Sequence, residues 1–489
     1  MLHSKIRASR CTRGVVVGGL LGAAMFASAC NEFLTASNPG LIQEDRLGDT
    51  SLVDLMANSS IGAMQDVYSW MADYGSVYTD ETRNHGTFAE EGLYDQRRLQ
   101  SDNGTLSTFH YAPLMRARWL ADSLTARIRP ILDRSHADSS SRDLRVARGY
   151  AIAGFDLVLL GEYFCEVPVP APGQRYGPPL KPDSLFGLAM ARFDSAVKIA
   201  AASKAANQQV TSGTTLALAQ RLVLVADSVR NFALVAKARA ALNKGDKALA
   251  ISTAQQVTSL GGATEFEYRA YYNDNASLNL VNKFQGDFSG GAGVTIRSIS
   301  GTRFIGLDDA RVPHPINSTT GLPLAEPATG GSWVVPNAGA SFSTFNNTKT
   351  GADFTMGTSI RIASMLEARY IIAEAGGASG TNLGGQSNID FVEARRTAFP
   401  SSTTPNPVTA DNYDASLREQ RSRDFFLDGH RMGDLRRYRD KNATDLWETG
   451  LMYGSTTGVT FNDQTCWPMN VAEITNNPFV VKPYTSPIH

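Results

Sequence analysis

Apolar residues recur every three or four positions over most of this chain. That spacing puts one face of an α-helix against a core. Between Leu114 and Leu132 they fall at Leu114, Ala117, Leu120, Leu124, Ile128 and Ile131. Leu144–Leu160 is apolar on more than one side, as a well-buried helix would be. A further helix is predicted from Asp183, read as its N-cap, through Leu188 and Phe193 to Val197. Phe232–Leu260 reads as two helices flanking Lys244-Gly245-Asp246. Gly245 can end the first in the left-handed conformation, and Asp246 can cap the second. Small Ala238, Ala241, Ala248 and Ala250 permit close packing, as in a tetratricopeptide (TPR) helical hairpin, although no clean repeat runs through the chain. Periodicity returns in SIRIASMLEARYIIAEA, read as a helix over Ile360–Ala375, and around Ile389–Ala398.

The pattern fails in two places. Val167–Pro182 contains six prolines, which remove backbone donors and predict an extended loop. From about Gly286 to Thr358, Gly, Ser, Thr and Asn dominate, and irregular loops with short strands are expected. The expected organisation is a helical N-terminal part over about 50–285, a loop-rich insertion over about 286–358, a helical C-terminal part over about 359–440 and a loop-rich tail over 441–489.

The N-terminus changes the picture. Lys5, Arg7, Arg10 and Arg13 precede GVVVGGLLGAAMFASA and then Cys30. A charged segment before a short apolar run is the layout of a secretory signal, too short for a membrane span. Ala27-Ser28-Ala29 before a cysteine resembles a bacterial lipobox, with Ala27 where Leu or Val is usual. Residues 1–29 are therefore read as a lipoprotein signal peptide and Cys30 as the acylated residue, whose chains hold the protein to a membrane. An ordinary signal peptide cut nearby, with Cys30 incidental, is the alternative. Asn31 rather than Asp at the next position points to the outer membrane. Without residues 1–29 the chain has 42 basic and 47 acidic residues, which argues against a nucleic-acid binder. Cys165 and Cys466 remain as candidates for one disulfide in an exported chain. No Cys/His zinc spacing occurs.

Several segments in order resemble one family. LEARYIIAEA (Leu366–Ala375) and FVEARRTAF precede Arg418–Asp440, REQRSRDFFLDGHRMGDLRRYRD. Glu419, Arg421, Asp424, Asp428-Gly429-His430-Arg431 and Asp434-Leu435-Arg436 are similar to the C-terminal pattern of SusD/RagB outer-membrane lipoproteins, with Asp for Glu twice. Phe155–Leu160 with Gly161–Pro168, Asp309-Ala310-Arg311, and Trp467-Pro468-Met469 with Glu473-Ile474 resemble further blocks of that family. The resemblance implies a mainly α fold, a scaffold of TPR-like helical pairs with long irregular loops and few short strands, as a single domain over 30–489. It also implies that the protein binds a nutrient, often an oligosaccharide, at the outside of the cell. The partner would be a SusC-like TonB-dependent transporter in the outer membrane.

The Arg418–Asp440 stretch holds seven arginines and five acids. It is read as a helical hairpin laced by Arg–carboxylate pairs, with Glu419 set to pair with Arg423 and Gly429 between the helices. No nucleophile or poised acid accompanies His430. GxSxG, GxxxxGK, GxGxxG and HExxH are all missing, so no catalytic residue and no cofactor is assigned. Adjacent acids such as Asp80-Glu81 or Glu90-Glu91 could serve a glycosidase, and Asp308-Asp309 with Asp287 a calcium ion; no metal site is assigned. Sugar binding asks for ring faces with polar neighbours. Trp70, Tyr74 and Tyr78, spaced by four, with Asn84 just beyond, are candidates for a half-exposed ledge on a helix ending near Gly75. The competing reading makes them the helix's core face. Trp333 in the insertion is the second candidate, weighed against a loop-anchoring tryptophan. The expected function is non-enzymatic nutrient capture. The alternatives are a TPR-type scaffold lipoprotein that binds proteins in envelope assembly and, further off, a secreted glycoside hydrolase.

Overall fold

The computed structural model describes residues 47–487 apart from 85–87, 172, 262–263, 276–279, 285–296, 299–301, 305–308, 310, 313–345, 348–351, 354–355, 400–405, 441–445 and 453–457. Residues 1–29, read above as a signal peptide, lie outside the described residues, as do Cys30, Trp333, Asp287, Asp308 and most of the predicted insertion. Val53–His489 forms one compact unit. Of the residues before it, the described ones include the short 3-10 turn Thr50–Leu52.

Twelve α-helices dominate the described residues. The first seven are α1 (Val53–Tyr78), α2 (Ala89–Asp95), α3 (Ala112–Ser135), α4 (Leu144–Tyr163), α5 (Pro182–Gln208), α6 (Leu216–Asn243) and α7 (Lys247–Ala254). After the loop-rich segment come α8 (Met365–Gly376), α9 (Asn388–Ala398), α10 (Tyr413–Asp424), α11 (Arg431–Asp440) and α12 (Val471–Asn476). Successive helices pack on each other: α3 on α4, α4 on α5, α5 on α6 and α6 on α7, with α1 against α3 and α4. Periodicity predicted the helices, and the family resemblance implied the scaffold of helical pairs that they form.

α4 is buried almost all round, from Val146 to Tyr163. Its glycines permit that. A Cβ at Gly154 would lie 2.7 Å from the Phe193 ring, and one at Gly161 would lie 2.7 Å from Phe186. The rings of α5 therefore rest on the bare backbone of α4. Gly245, at φ +84°, ends α6, and the Asp246 side chain accepts from the Leu249 N–H at 3.0 Å, in agreement with the sequence. The second helix of this hairpin stops at Ala254, short of Leu260.

Among the described residues strands are few and short, in four two-stranded antiparallel pairs. β1 (Arg83–Asn84) pairs with β5 (Arg297–Ser298), β2 (Val167–Pro168) with β3 (Pro179–Leu180), β4 (Glu267–Ala270) with β8 (Ile360–Ser364), and β6 (Asn346–Asn347) with β7 (Ala352–Asp353). β8 corrects the helix expected from Ile360. Two isoleucines in alternation suit a strand as well as a helix, and β4 supplies the partner. The helix starts at Met365, where the Ser364 hydroxyl accepts from the Glu367 N–H at 3.1 Å. Asp183 likewise is not the N-cap of α5. Lys181 holds that position and Pro182 is the first helical residue, where a missing N–H costs nothing. α1 runs through Gly75 to Tyr78.

Candidate functional site

Spacing by four puts Trp70, Tyr74 and Tyr78 on one face of α1, and that face turns inward. Tyr74 is 2% exposed and Tyr78 0%. Their hydroxyls are satisfied inside: Tyr74 donates to Glu91 Oε1 at 2.6 Å and Tyr78 to the Cys466 carbonyl at 3.1 Å. Burial holds the Tyr78 phenol well above its ordinary pKa. The expected half-exposed ledge is thus corrected for these two residues. A phenol needs a partner for its O–H, and the fold supplies internal acceptors in place of water.

Trp70 is different. It is half-buried at the margin of the core and its ring stacks on Phe109, centroids 4.6 Å apart and planes 29° apart. Phe109 is 37% exposed. It lies on a single π-helical turn, Leu106–Tyr111, that leads straight into α3. Pro113 accounts for that turn. A proline cannot donate to the carbonyl four residues back, which is Phe109's, and its ring crowds that carbonyl. The turn widens, and the Ala112 N–H bonds five residues back to the Ser107 carbonyl. Such turns often accompany functional sites. From the far side of the sequence, the Lys283 N–H donates to Ser69 Oγ at 2.8 Å, which pins this residue beside α1. The Lys283 ammonium lies 5.1 Å from the Trp70 ring centroid and 3.4 Å from Asp66 Oδ1. The assembled surface is an aromatic stack with a cation and a carboxylate beside it. It can hold an apolar ring face and offer hydrogen bonds at the edge.

A column of rings fixes the stack from beneath. Trp70 contacts Tyr74 (6.0 Å), Tyr74 contacts Tyr94 (4.9 Å), Tyr94 contacts Trp467 (5.3 Å) and Trp467 contacts Tyr78 (6.2 Å). The buried tyrosines therefore position Trp70 from below.

Asn84 sits elsewhere. It is half-buried on β1, where its N–H donates to Asp95 Oδ2 at 3.0 Å. Its neighbour Arg83 pairs with Asp95 at 3.5 Å and with Glu448. Arg83 also lies over the Phe461 ring at 5.0 Å, and Arg97 over Phe461 and Trp447 at 5.3 Å each. Arg97 adopts φ +53°, a backbone conformation uncommon for a side chain with a Cβ. Sequence reasoning misses Phe109 and Lys283. Nothing in LSTFHYAP distinguishes a π-turn from an α-turn except the proline, and Lys283 reaches α1 only through the tertiary fold.

The arginine-rich hairpin is structural, as its charge pattern implies. Glu419 pairs with Arg423, and Arg421 Nε donates to Asp434 Oδ2 at 2.8 Å. Arg437 binds Glu374 through both Nε and Nη2, at 2.7 and 2.8 Å. Arg431 grips Asp80 with two bonds of 2.6 Å. Asp424 receives Arg395 at 2.9 and 2.5 Å, and Asp309 receives Arg311 and Arg423. His430 Nε2 lies 3.2 Å from Glu367 Oε2, both side chains 1% exposed. Burial by itself would raise the pKa of Asp434. The guanidiniums of Arg421 and Arg437 outweigh it and hold this carboxyl well below the usual range. Asp80 and Asp424 are likewise buried and held low by their arginines. The acid pairs noted in the sequence are engaged too: Glu81 accepts from the Leu427 N–H at 3.0 Å, Glu90 from Thr105, and Glu91 from Tyr74. Cys165 and Cys466 are bonded to each other, Cα atoms 5.1 Å apart.

No family model matches the chain, and no curated protein matches its sequence. Solved structures match its fold. A SusD-like carbohydrate-binding protein from Bacteroides fragilis superposes with a TM-score of 0.57 at 13% identity, covering 90% of this chain and 100% of that one. Surface glycan-binding protein A from Bacteroides uniformis gives 0.55 at 13% identity, covering 88% and 99%. A laminarin-binding SusD-like protein gives 0.50 at 15% identity, covering 88% and 99%. The chain therefore has the SusD-like fold, mainly α, as the resemblance of its motifs implied.

Proposed function

We propose that this protein is a SusD/RagB-type lipoprotein of the cell surface that binds an oligosaccharide and delivers it to a SusC-like TonB-dependent transporter. The observation that carries the reading is the exposed Phe109 stacked on Trp70 beside Lys283 and Asp66, on a SusD-like fold. The face of a pyranose ring is apolar and stacks on an aromatic, while its hydroxyls need donors and acceptors at the rim. Proteins of this fold named for laminarin and for surface glycan support carbohydrate as the ligand class. Cys30 is the anchor in this reading, after removal of residues 1–29, and the protein faces the cell exterior. No helix among the described residues is long and apolar enough to cross a membrane. No catalytic step belongs to the proposal.

Calorimetric titration of the full chain with a panel of β-glucan and xyloglucan oligosaccharides tests it. Phe109→Ala is expected to weaken binding about tenfold, equivalent to about 1.4 kcal/mol, while melting near the parent temperature. Unchanged affinity in a folded Phe109→Ala, Trp70→Ala double variant would remove this surface from the site.

A further inference from the structure

We propose that a cavity beside the Cys165–Cys466 bond is a second binding site, built for a neutral mono- or disaccharide. Its ligand class comes from the chemistry of its own wall, and no residue lines both it and the Trp70–Phe109 stack. The cavity measures about 460 Å³, within the range of sites that hold small molecules. It opens between the C-terminus of α4, the first turn of α5 and one face of α11, with Asn243 of α6 and Thr465 and Pro487 of the tail completing it.

Its walls are fixed in advance. Arg436 Nη1 donates to the carbonyls of Gly161, Glu162 and Phe164 at 2.9, 2.8 and 3.0 Å, which ties α11 to the end of α4. Glu162 in turn holds Arg239 at 2.7 and 2.5 Å and Asn243 at 2.6 Å. The disulfide joins the α4 end to the tail at the same place. A wall that is already ordered has little ordering cost left on binding.

The lining decides the ligand. Cationic Lys181, Arg436, Arg437 and Arg439 share the space with the carboxylates of Glu162, Glu166 and Asp183, and Phe186 and Pro182 add apolar surface. A small anion would meet three carboxylates, and a small cation would meet four basic groups. A neutral polyol suits both kinds of group, because each hydroxyl donates once and accepts twice. Its ring can lie on the apolar part. Lys181, Asp183 and Ser184 are exposed, so the first turn of α5 forms the mouth.

The test uses the full chain carrying Trp70→Ala and Phe109→Ala, so that binding at the aromatic stack is removed or, if that reading is wrong, shown to be indifferent to those residues. Glucose, galactose, mannose and xylose, with their β-linked disaccharides, are titrated by calorimetry, and glucuronate serves as the anionic control. Ser184→Trp is then added to fill the mouth without touching a charged partner. At least one neutral sugar is expected to bind in the double-variant background, and Ser184→Trp to weaken it by about tenfold or more. Glucuronate is expected to bind more weakly than glucose. Should Ser184→Trp fail to fold, Lys181→Ala and Glu166→Gln take its place with the same readout. Absence of neutral-sugar binding in the background, binding indifferent to the mouth variant, or a preference for glucuronate each overturns the proposal.

Discussion

At the scale of single residues, exposure separates the aromatics of α1 by role. Tyr78→Ala removes a fully buried ring and is expected to cost about 3–5 kcal/mol in a denaturation curve, by the cavity it opens. Phe109→Ala, on the surface, is expected to leave that curve nearly unchanged and to act on ligand affinity. Asp156 of α4 makes a second residue-scale case. It is fully buried, and neither carboxyl oxygen has a hydrogen-bond partner among the described residues. Burial pushes its pKa well above the ordinary value, opposed by nearby Arg118. The sign follows from linkage. The unfolded chain ionises this group from about pH 4 upward and the folded chain resists, so folding loses about 1.4 kcal/mol per pH unit until the folded pKa is reached. Asp156→Asn is therefore expected to gain stability over the parent as pH rises from 5 to 9. Melting curves that run parallel across that range would contradict this account.

At the scale of elements, the α10–α11 hairpin is held by charge as much as by apolar burial. Its arginines and acids reach the turn after α1 through Asp80, α8 through Glu374, β8 through Arg361 and α9 through Arg395. Such pairs are costly to desolvate, yet breaking one strands a buried charge. Asp434→Ala is accordingly expected to cost about 3–5 kcal/mol, while Arg421→Met with Asp434→Leu recovers part of that loss. Chemical denaturation of the three proteins checks the order. The carboxyls of Asp434, Asp80 and Asp424 are held below the usual range, so their contribution is complete above about pH 4. It is lost as pH falls through their folded values. The deficit of Asp434→Asn is thus expected to shrink on acidification below about pH 4. Most of this arrangement was legible: the alternation of Arg with Asp and Glu around Gly429 announced a paired hairpin. The distant partners were not, because Asp80 and Glu374 meet the hairpin only through tertiary packing.

At the scale of the whole molecule, one covalent bond ties the tail to the scaffold. Cys165 and Cys466 are 301 residues apart, and closing so long a loop stabilises by about 5–6 kcal/mol in the chain-entropy model. Cys165→Ser with Cys466→Ser is expected to lower the melting temperature markedly, and Trp467, buried beside the bond, reports its loss through fluorescence. The proposed anchor makes a separate prediction. Cys30→Ser is expected to move the protein from the membrane fraction to the soluble one. Recovery in the membrane at the parent level would contradict the lipoprotein reading. Co-purification of a TonB-dependent barrel after detergent extraction is expected of the parent protein.

Sequence by itself determined the helical scaffold, the α6–α7 hairpin turn and the pairing logic of Arg418–Asp440. These follow from local periodicity, capping residues and charge alternation, all readable within one or two helical turns. Tertiary structure decided which face of α1 met water. Trp70, Tyr74 and Tyr78 carry the same spacing whether they line a core or a ledge, and only the packing of Tyr94, His110 and Trp467 around the two tyrosines settled it. It also decided that Ile360–Ser364 is a strand, because a short apolar run takes the form its neighbour offers, and β4 offered an edge. The Phe109–Trp70–Lys283 surface draws on three distant segments. Its stacking and charge come from juxtaposition, which no local pattern encodes.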